Sequence, residues 1–265
     1  MMGRGLKGHP RAPVLHLSML AFSQYPVAKV RSLQGQLQLA VADCTSLDQA
    51  SQRLAELIFT EIAGAVLVRV YAILALKLLP LPNRLWVEEL ARAKGITRAL
   101  KPATPVLSLL GTRGLELAWN DRRSSQGHIG IPLVSAEFTD SIPMVAALLS
   151  DLGVSMGPQS ADGMQRDGLL GGEATGIFYV EDAATTVDAR ARKIIPAQDF
   201  VAAYGVKTVF GMGGAWANGE AVACIVFGRK FLARNVARRV APLLSVFRAA
   251  TNTLAVSGRH FEEQR

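Results

Sequence analysis

Cysteine is nearly missing from this chain: Cys44 and Cys224 are the only two in 265 residues. Two cannot brace a disulfide scaffold, and neither falls in a CxxC or Cys/His spacing, so the pattern points to no zinc site or other metal centre. Their rarity predicts a reducing, cytoplasmic setting. Aromatic residues make up only 6%, and of four histidines only His128 lies away from the termini, which leaves imidazole chemistry a single candidate. No uncharged apolar run reaches the ~18 residues of a membrane helix, so no transmembrane anchor is predicted. Arg4, Lys7 and Arg11 precede an apolar stretch at 14–22. His16 and Ser18 interrupt that stretch, and the cleavage position around Pro26 is poor, so a flexible tail is favoured over a secretory signal.

Acidic residues are absent from the first 31 positions, which carry a charge of +5, and scarce after 228, where the balance is +6. The 197 residues between them sum to −3, so the net +8 sits at the two ends. A protein that tracks phosphates needs a basic face on its folded body, and no nucleic-acid motif accompanies these ends. Nucleic-acid binding is therefore disfavoured. What the chain has is apolar mass: 50% apolar and 19% charged residues exclude global disorder. A chain of this length buries about three quarters of its unfolded surface.

Residues 1–28 read as a basic, flexible tail, 29–256 as one domain, and 257–265 as a second tail. Within the domain, Val30, Leu33, Leu37, Ala40, Val41 and Cys44 form one stripe at helical spacing. A second stripe runs from Leu47 through Ala50, Leu54, Leu57 and Ile58 behind a Ser46/Gln49 capping box. The β-branched segment 65–74 reads as a strand with Arg69 and Tyr71 at alternate positions. A helix closed by Gly95 follows, then a strand at 105–110. The stretch 111–133 reads as loop with a short strand near 129–133, and 141–152 as a helix with Pro143 near its start. The Gly-rich segment 157–175 reads as a surface excursion, 176–182 as a strand, and 183–200 as an irregular basic linker. Asn218-Gly219 between 206–217 and 220–227 predicts a hairpin with a type I′ turn. The closing helix carries Pro242 inside its apolar pattern, which predicts a kink or break there. Helices, strands with interruptions, a hairpin and a final helix make an α+β domain with an antiparallel sheet.

The segments VLVRVYAIL, LLGTRGLELAWNDRRSSQGHIGIPL, IPAQDFVAAYGVKTVFGMGG and ACIVFGRK, with the closing hairpin and helix, resemble a GAF-like bacterial sensor module. Modules of that type often stand ahead of PAS, histidine-kinase or cyclase output domains. The resemblance covers about 32–254 and implies a GAF-like antiparallel sheet with helices packed on it and long ligand-covering loops. It implies a non-catalytic regulatory domain of signal transduction that holds a small ligand and changes the geometry of its terminal helices. Nothing in the sequence resembles an output domain, so the output is expected on another chain, or the chain is a fragment or remnant of a longer sensor; such sensors commonly form homodimers through their terminal helices.

The loop holding Arg113, Trp119, Asn120, Arg122, Arg123 and His128 concentrates donors and one aromatic plate, and these six residues are the candidate ligand-binding set. A guanidinium and an imidazole suit an anionic group, while Trp119 packs on an apolar part of the same ligand. The competing reading is structural: Asp121 pairs with an arginine, His128 meets a backbone carbonyl, and the segment caps the sheet. Gly211-Met212-Gly213-Gly214 lacks the spacing of a dinucleotide or P-loop fingerprint and reads as close backbone approach in the hairpin. His128, Ser124 or Ser125, and Asp121 could be imagined as a triad, but no nucleophile-elbow pattern surrounds either serine. Glu88-Glu89, Glu181-Asp182 and Asp199 show no spacing that pairs two acids across a cleft. The chain is expected to have no catalytic residues and to be no enzyme. The alternatives kept open are a ligand-free dimerisation scaffold and, less favoured, an enzyme on the same fold.

Overall fold

The computed structural model describes residues 27–125, 127–154 and 176–262. The expected 1–28 tail, except its last two residues, and the 157–175 excursion lie outside them. The chain opens with α1 (Val27–Val41) and α2 (Leu47–Glu61), followed by strand β1 (Ala65–Ala75) and helix α3 (Leu81–Ala93). Strand β2 (Pro105–Gly114) and the short β3 (Gly130–Pro132) precede α4 (Ala136–Asp140) and α5 (Pro143–Asp151). Strand β4 (Gly176–Val180), α6 (Gln198–Tyr204), β5 (Thr208–Ala215) and β6 (Ala221–Gly228) follow. Helices α7 (Arg234–Val240) and α8 (Pro242–Val256) close the fold.

The strands form one antiparallel sheet in the order β3-β2-β1-β6-β5-β4, the α+β arrangement expected. Strand β1 is buried along nearly its whole length because both its faces are covered. Val68, Val70, Ala72 and Leu74 join the core beneath α1, α2, α7 and α8. Leu67, Tyr71 and Ile73 join a second core beneath α5 and the segments flanking β4. The sheet therefore has a helix-covered side and an opposite side, and a two-residue alternation assigns the β1 side chains to one or the other from Leu67 onward, past the register irregularity between Ala65 and Leu67.

Several elements differ from the sequence reading. Strand β2 continues to Gly114 rather than ending at 110. Its glycines Gly111 and Gly114 are places of close approach, since a Cβ on Gly111 would lie 2.4 Å from the Ser51 carbonyl carbon of α2, and one on Gly114 2.6 Å from Trp119. Helix α4 lies between the elements that the sequence predicts, and α6 begins inside the 183–200 stretch expected to be irregular. Ser135 caps α4 by accepting from the Phe138 N–H. At the start of α2 the capping contact is displaced by one residue: Gln49 Oε1 accepts from the Thr45 N–H at 2.9 Å, while Ser46 Oγ donates to Asp48. In the β5–β6 hairpin only Gly219 takes a positive φ, so the turn is not type I′. The break at Pro242 is as expected, with Ala241 joining α7 to α8. The GMGG stretch is strand, and Gly213 makes room for Leu152, which would lie 2.3 Å from a Cβ there.

Candidate functional site

The side of the sheet opposite α1 and α2 holds a chamber of about 260 Å³. Its floor is Leu67, Arg69 and Tyr71 of β1 with Leu107, Ile131, Ile225 and Phe227 of neighbouring strands. Its cover is Trp119 and His128 from the β2–β3 connection, α5 residues such as Val145 and Leu148, Ile195 and Ala197 from the approach to α6, and Phe200 of α6 itself. The cover is held by its own ring contacts, with Trp119 edge-on to Phe200 (5.7 Å) and Tyr204 (4.7 Å).

The walls are apolar except at one end, where Arg69 stands in the floor with only 7% of its surface exposed. Its Nη1 donates to Tyr71 Oη (3.2 Å) and the Gly127 carbonyl (3.1 Å), and its Nη2 donates to the buried Ser125 Oγ (3.0 Å). Its Nε–H has no partner, and among the described residues no carboxylate pairs with the guanidinium. The covering loop reaches back over Arg69 because Gly127 (φ 76°) and His128 (φ 53°) are both left-handed. Glycine adopts that region freely and histidine is among the side chains that tolerate it. The imidazole keeps an exposed edge. Its pKa is nonetheless lowered, first by the protein mass around the ring and then by the Arg69 cation, which favours the neutral form at neutral pH.

The six candidate residues do not come together. Trp119 and His128 line the chamber. Arg113 points to the helix side, its guanidinium 5.9 Å from the Phe59 ring centre. Asn120 is structural: Oδ1 accepts the Gly114 N–H at 2.9 Å, and its carbonyl accepts from Gln52. Arg122 is paired with Asp48 of α2 through Nε (3.0 Å) and Nη2 (2.7 Å), and lies over Phe261 at 4.8 Å. Arg123 is paired with Asp121, and its hydrogen bonds hold that carboxyl below the usual range. These pairs border an open, polar groove of about 620 Å³ on the helix side. The groove is larger than the chamber, but each arginine in its lining is already paired: Arg122 with Asp48, Arg123 with Asp121, Arg53 with Glu56. The imagined triad is likewise dispersed. Ser125 Oγ takes Arg69, Ser124 Oγ donates to the carbonyls of Ala118 and Asp121, and none of these bonds includes His128.

Arg69 is the residue that sequence reasoning passed over. Its signal was a charged side chain in the middle of an otherwise apolar, doubly buried strand, two positions from Tyr71 on the same face. Cys224 lies in the helix-side core, where burial pushes its thiol far above the ordinary range, and Cys44 lies beside α2. Neither thiol lines the chamber.

No known family model matches the chain, and no curated protein does. Solved structures do. The chain is similar to the phycocyanobilin-bound GAF domain from a cyanobacterial phytochrome, at 12% identity over 87% of this chain and 98% of that one, with a TM-score of 0.46. It is similar to the chromophore-binding domain of an unusual bacteriophytochrome from R. palustris, at 9% identity over 86% of this chain and 61% of that one, with a TM-score of 0.44. A longer bacteriophytochrome structure from the same bacterium matches at 10% identity over 89% of this chain and 39% of that one, with a TM-score of 0.47. The chain thus spans less than two thirds of either R. palustris chain. The fold itself is α+β, an antiparallel sheet with helices packed on it, as the sequence predicts. Among the described residues no helix is long and apolar enough to cross a membrane, and no three His, Cys, Asp or Glu side chains cluster as metal ligands would.

Proposed function

We propose that this chain is a non-catalytic regulatory module that holds a small molecule in the chamber and reports its presence mechanically, to an output on another chain. One observation carries the reading: a chamber of about 260 Å³, apolar on most sides and polar at one end, lies between the sheet and a loop-and-helix cover. Binding sites for small molecules are built in this way, with apolar walls and a few convergent polar groups. By scale, a dry cavity of ~150 Å³ admits benzene, so this one holds about ten non-hydrogen atoms. That is far fewer than an open-chain tetrapyrrole has, so the occupant differs in kind from the bilins named in the phytochrome structures.

A route from the chamber to the chain's end supports the mechanical part. The loop that carries Trp119 and His128 also carries Arg122, which is bonded to Asp48. Asp48 in turn accepts the Glu262 N–H at 3.0 Å, and its own N–H donates to the His260 carbonyl at 3.0 Å. Movement of the cover therefore bears on residues 259–262. Homodimerisation through the terminal helices belongs to the same reading, since α1 and α8 pack on each other and leave Leu39 and Val256 exposed.

Native mass spectrometry of the purified protein tests this by reporting bound mass and subunit number together. A small bound molecule is expected in the wild type and its loss in Ala197→Trp, which fills the rim of the chamber at an exposed position. Protein that is always empty and shows no thermal stabilisation by any of a panel of compact apolar compounds would overturn the reading, as would turnover of a substrate.

A further inference from the structure

We infer that the chamber takes a compact monocarboxylate, an apolar body of fewer than about ten non-hydrogen atoms with one carboxylate seated on the Arg69 guanidinium. The inference rests on the sensor reading and deepens it by naming the ligand class.

The charge of the head group follows from Arg69. A guanidinium has five N–H donors. Three are assigned, to Tyr71 Oη, the Gly127 carbonyl and Ser125 Oγ, which leaves the Nε–H and one hydrogen on Nη2. Every assigned acceptor is neutral, so the cation is solvated by the protein but not neutralised. Removing a charge from water with no opposite charge beside it is among the most expensive arrangements a fold can hold. The remaining Nη2 hydrogen is left for one oxygen of a carboxylate, while the Nε–H is enclosed by protein, so the bidentate pairing common for arginine requires a shift of the side chain or of the cover.

The number of charges follows from the rest of the lining. Among the described residues that line the chamber, Arg69 is the only Lys or Arg, and there is no Asp or Glu. His128 is the one other titratable nitrogen in the lining. One cation neutralises one negative charge, so a phosphate dianion would carry uncompensated charge into apolar walls. A neutral ligand would leave Arg69 as it is now. The body of the ligand follows from Ile142, Leu148 and Phe200, which offer only apolar surface, and from Trp119, apolar but for its indole N–H.

Calorimetric titration at pH 7 of the full chain with sodium phenylacetate, its neutral isostere phenylacetamide, and phenyl phosphate tests the assignment. Phenylacetate is expected to bind at least tenfold more tightly than phenylacetamide and more tightly than phenyl phosphate. In Arg69→Gln the acid-over-amide preference is expected to fall to within about twofold, while Arg69→Lys keeps part of it. The wild-type comparison needs no variant and so stands even if Arg69→Gln does not fold. Equal or tighter binding of the amide overturns the carboxylate, and tighter binding of the phosphate overturns the single charge. An undiminished preference in folded Arg69→Gln removes Arg69 from the site. Failure of all three probes at millimolar concentration also overturns the class. The sensor reading falls only if the protein is in addition empty and unresponsive to neutral apolar compounds.

Discussion

Asp48 is the point where the chamber's cover, the start of α2 and the chain's last described residues meet, and its removal should be felt well beyond one contact. Its Oδ2 accepts both Arg122 bonds, and its Oδ1 accepts from Ser46 Oγ, the Gln49 N–H and the Glu262 N–H. The two side chains are only 11% (Arg122) and 8% (Asp48) exposed. Breaking a buried pair from one side costs about 3–5 kcal/mol, because the surviving charge is left without its partner. Asp48→Ala strands the Arg122 cation against Phe261 and also frees two backbone N–H groups, which places it near 4 kcal/mol. Arg122→Met leaves a carboxylate that keeps three neutral donors and preserves the contact with Phe261, so about 3 kcal/mol is expected. The double variant should cost about 4–5 rather than the sum near 7, a coupling of about 2–3 kcal/mol. Urea titrations read the free energies, and a melt of Asp48→Ala should fall by about 8–16 °C at ~2–4 °C per kcal/mol. Hydrogen exchange should quicken at 260–262 in either single variant. Additivity within about 0.5 kcal/mol would refute the pair as an energetic unit. Unchanged exchange at 260–262 would refute the connection from cover to terminus.

Further outcomes follow from the glycines and from His128. Gly111→Ala should cost about 3 kcal/mol or more, since its Cβ would lie within 2.5 Å of three backbone atoms of Ser51 and Gln52 that no rotamer change can clear. Gly35→Ala, with nothing within 4 Å on the helix α1, should instead stabilise by about 0.5–1 kcal/mol; thermal melts separate the two, and similar effects would discount the close approach. His128 is held below its unfolded pKa of ~6.5, so on acidification the unfolded chain takes the proton first. Its contribution is therefore intact above that pH, declines as pH falls toward the lower folded value, and levels off beneath it. His128→Asn, which tolerates the left-handed φ, should flatten this slope between pH 7 and 5 in urea midpoints; an unchanged slope would show that the imidazole is not so held.

Much of the architecture was legible because it rests on local periodicity. Val30, Leu33, Leu37 and Val41 of the first stripe and Leu47, Ala50, Leu54 and Ile58 of the second are buried as their spacing implies, whereas Ala40 of the first is exposed. Strand β1, the Asn218-Gly219 hairpin and the interruption at Pro242 stand where β-branched runs and backbone breakers put them. The failures share a cause. Gly111 and Gly114 looked like loop punctuation, although they serve helix-to-sheet and ring-to-sheet contact, a tertiary fact that no window of sequence contains. The candidate loop was rightly singled out as polar, but sequence could not sort its residues by side of the sheet. Arg122 and Arg123 found acids within reach and Arg113 turned toward Phe59, while Trp119 and His128 went to the chamber. Arg69 was legible as an alternating strand position but not as a site residue, because strand alternation alone does not tell a solvent-facing cation from a buried one.

Gly258 has a bearing on how such a module could drive anything attached to it. With φ at +69° it ends α8, and the backbone then doubles back so that the Leu47 and Asp48 amides donate to Arg259 and His260. A rigid rod cannot be continued through that reversal, so twist generated along α8 is not handed straight to a following coil. On the proposed sensor reading, what leaves the module is a sideways tug at the corner before α2, and a fused reporter would respond to whether that corner is gripped or let go.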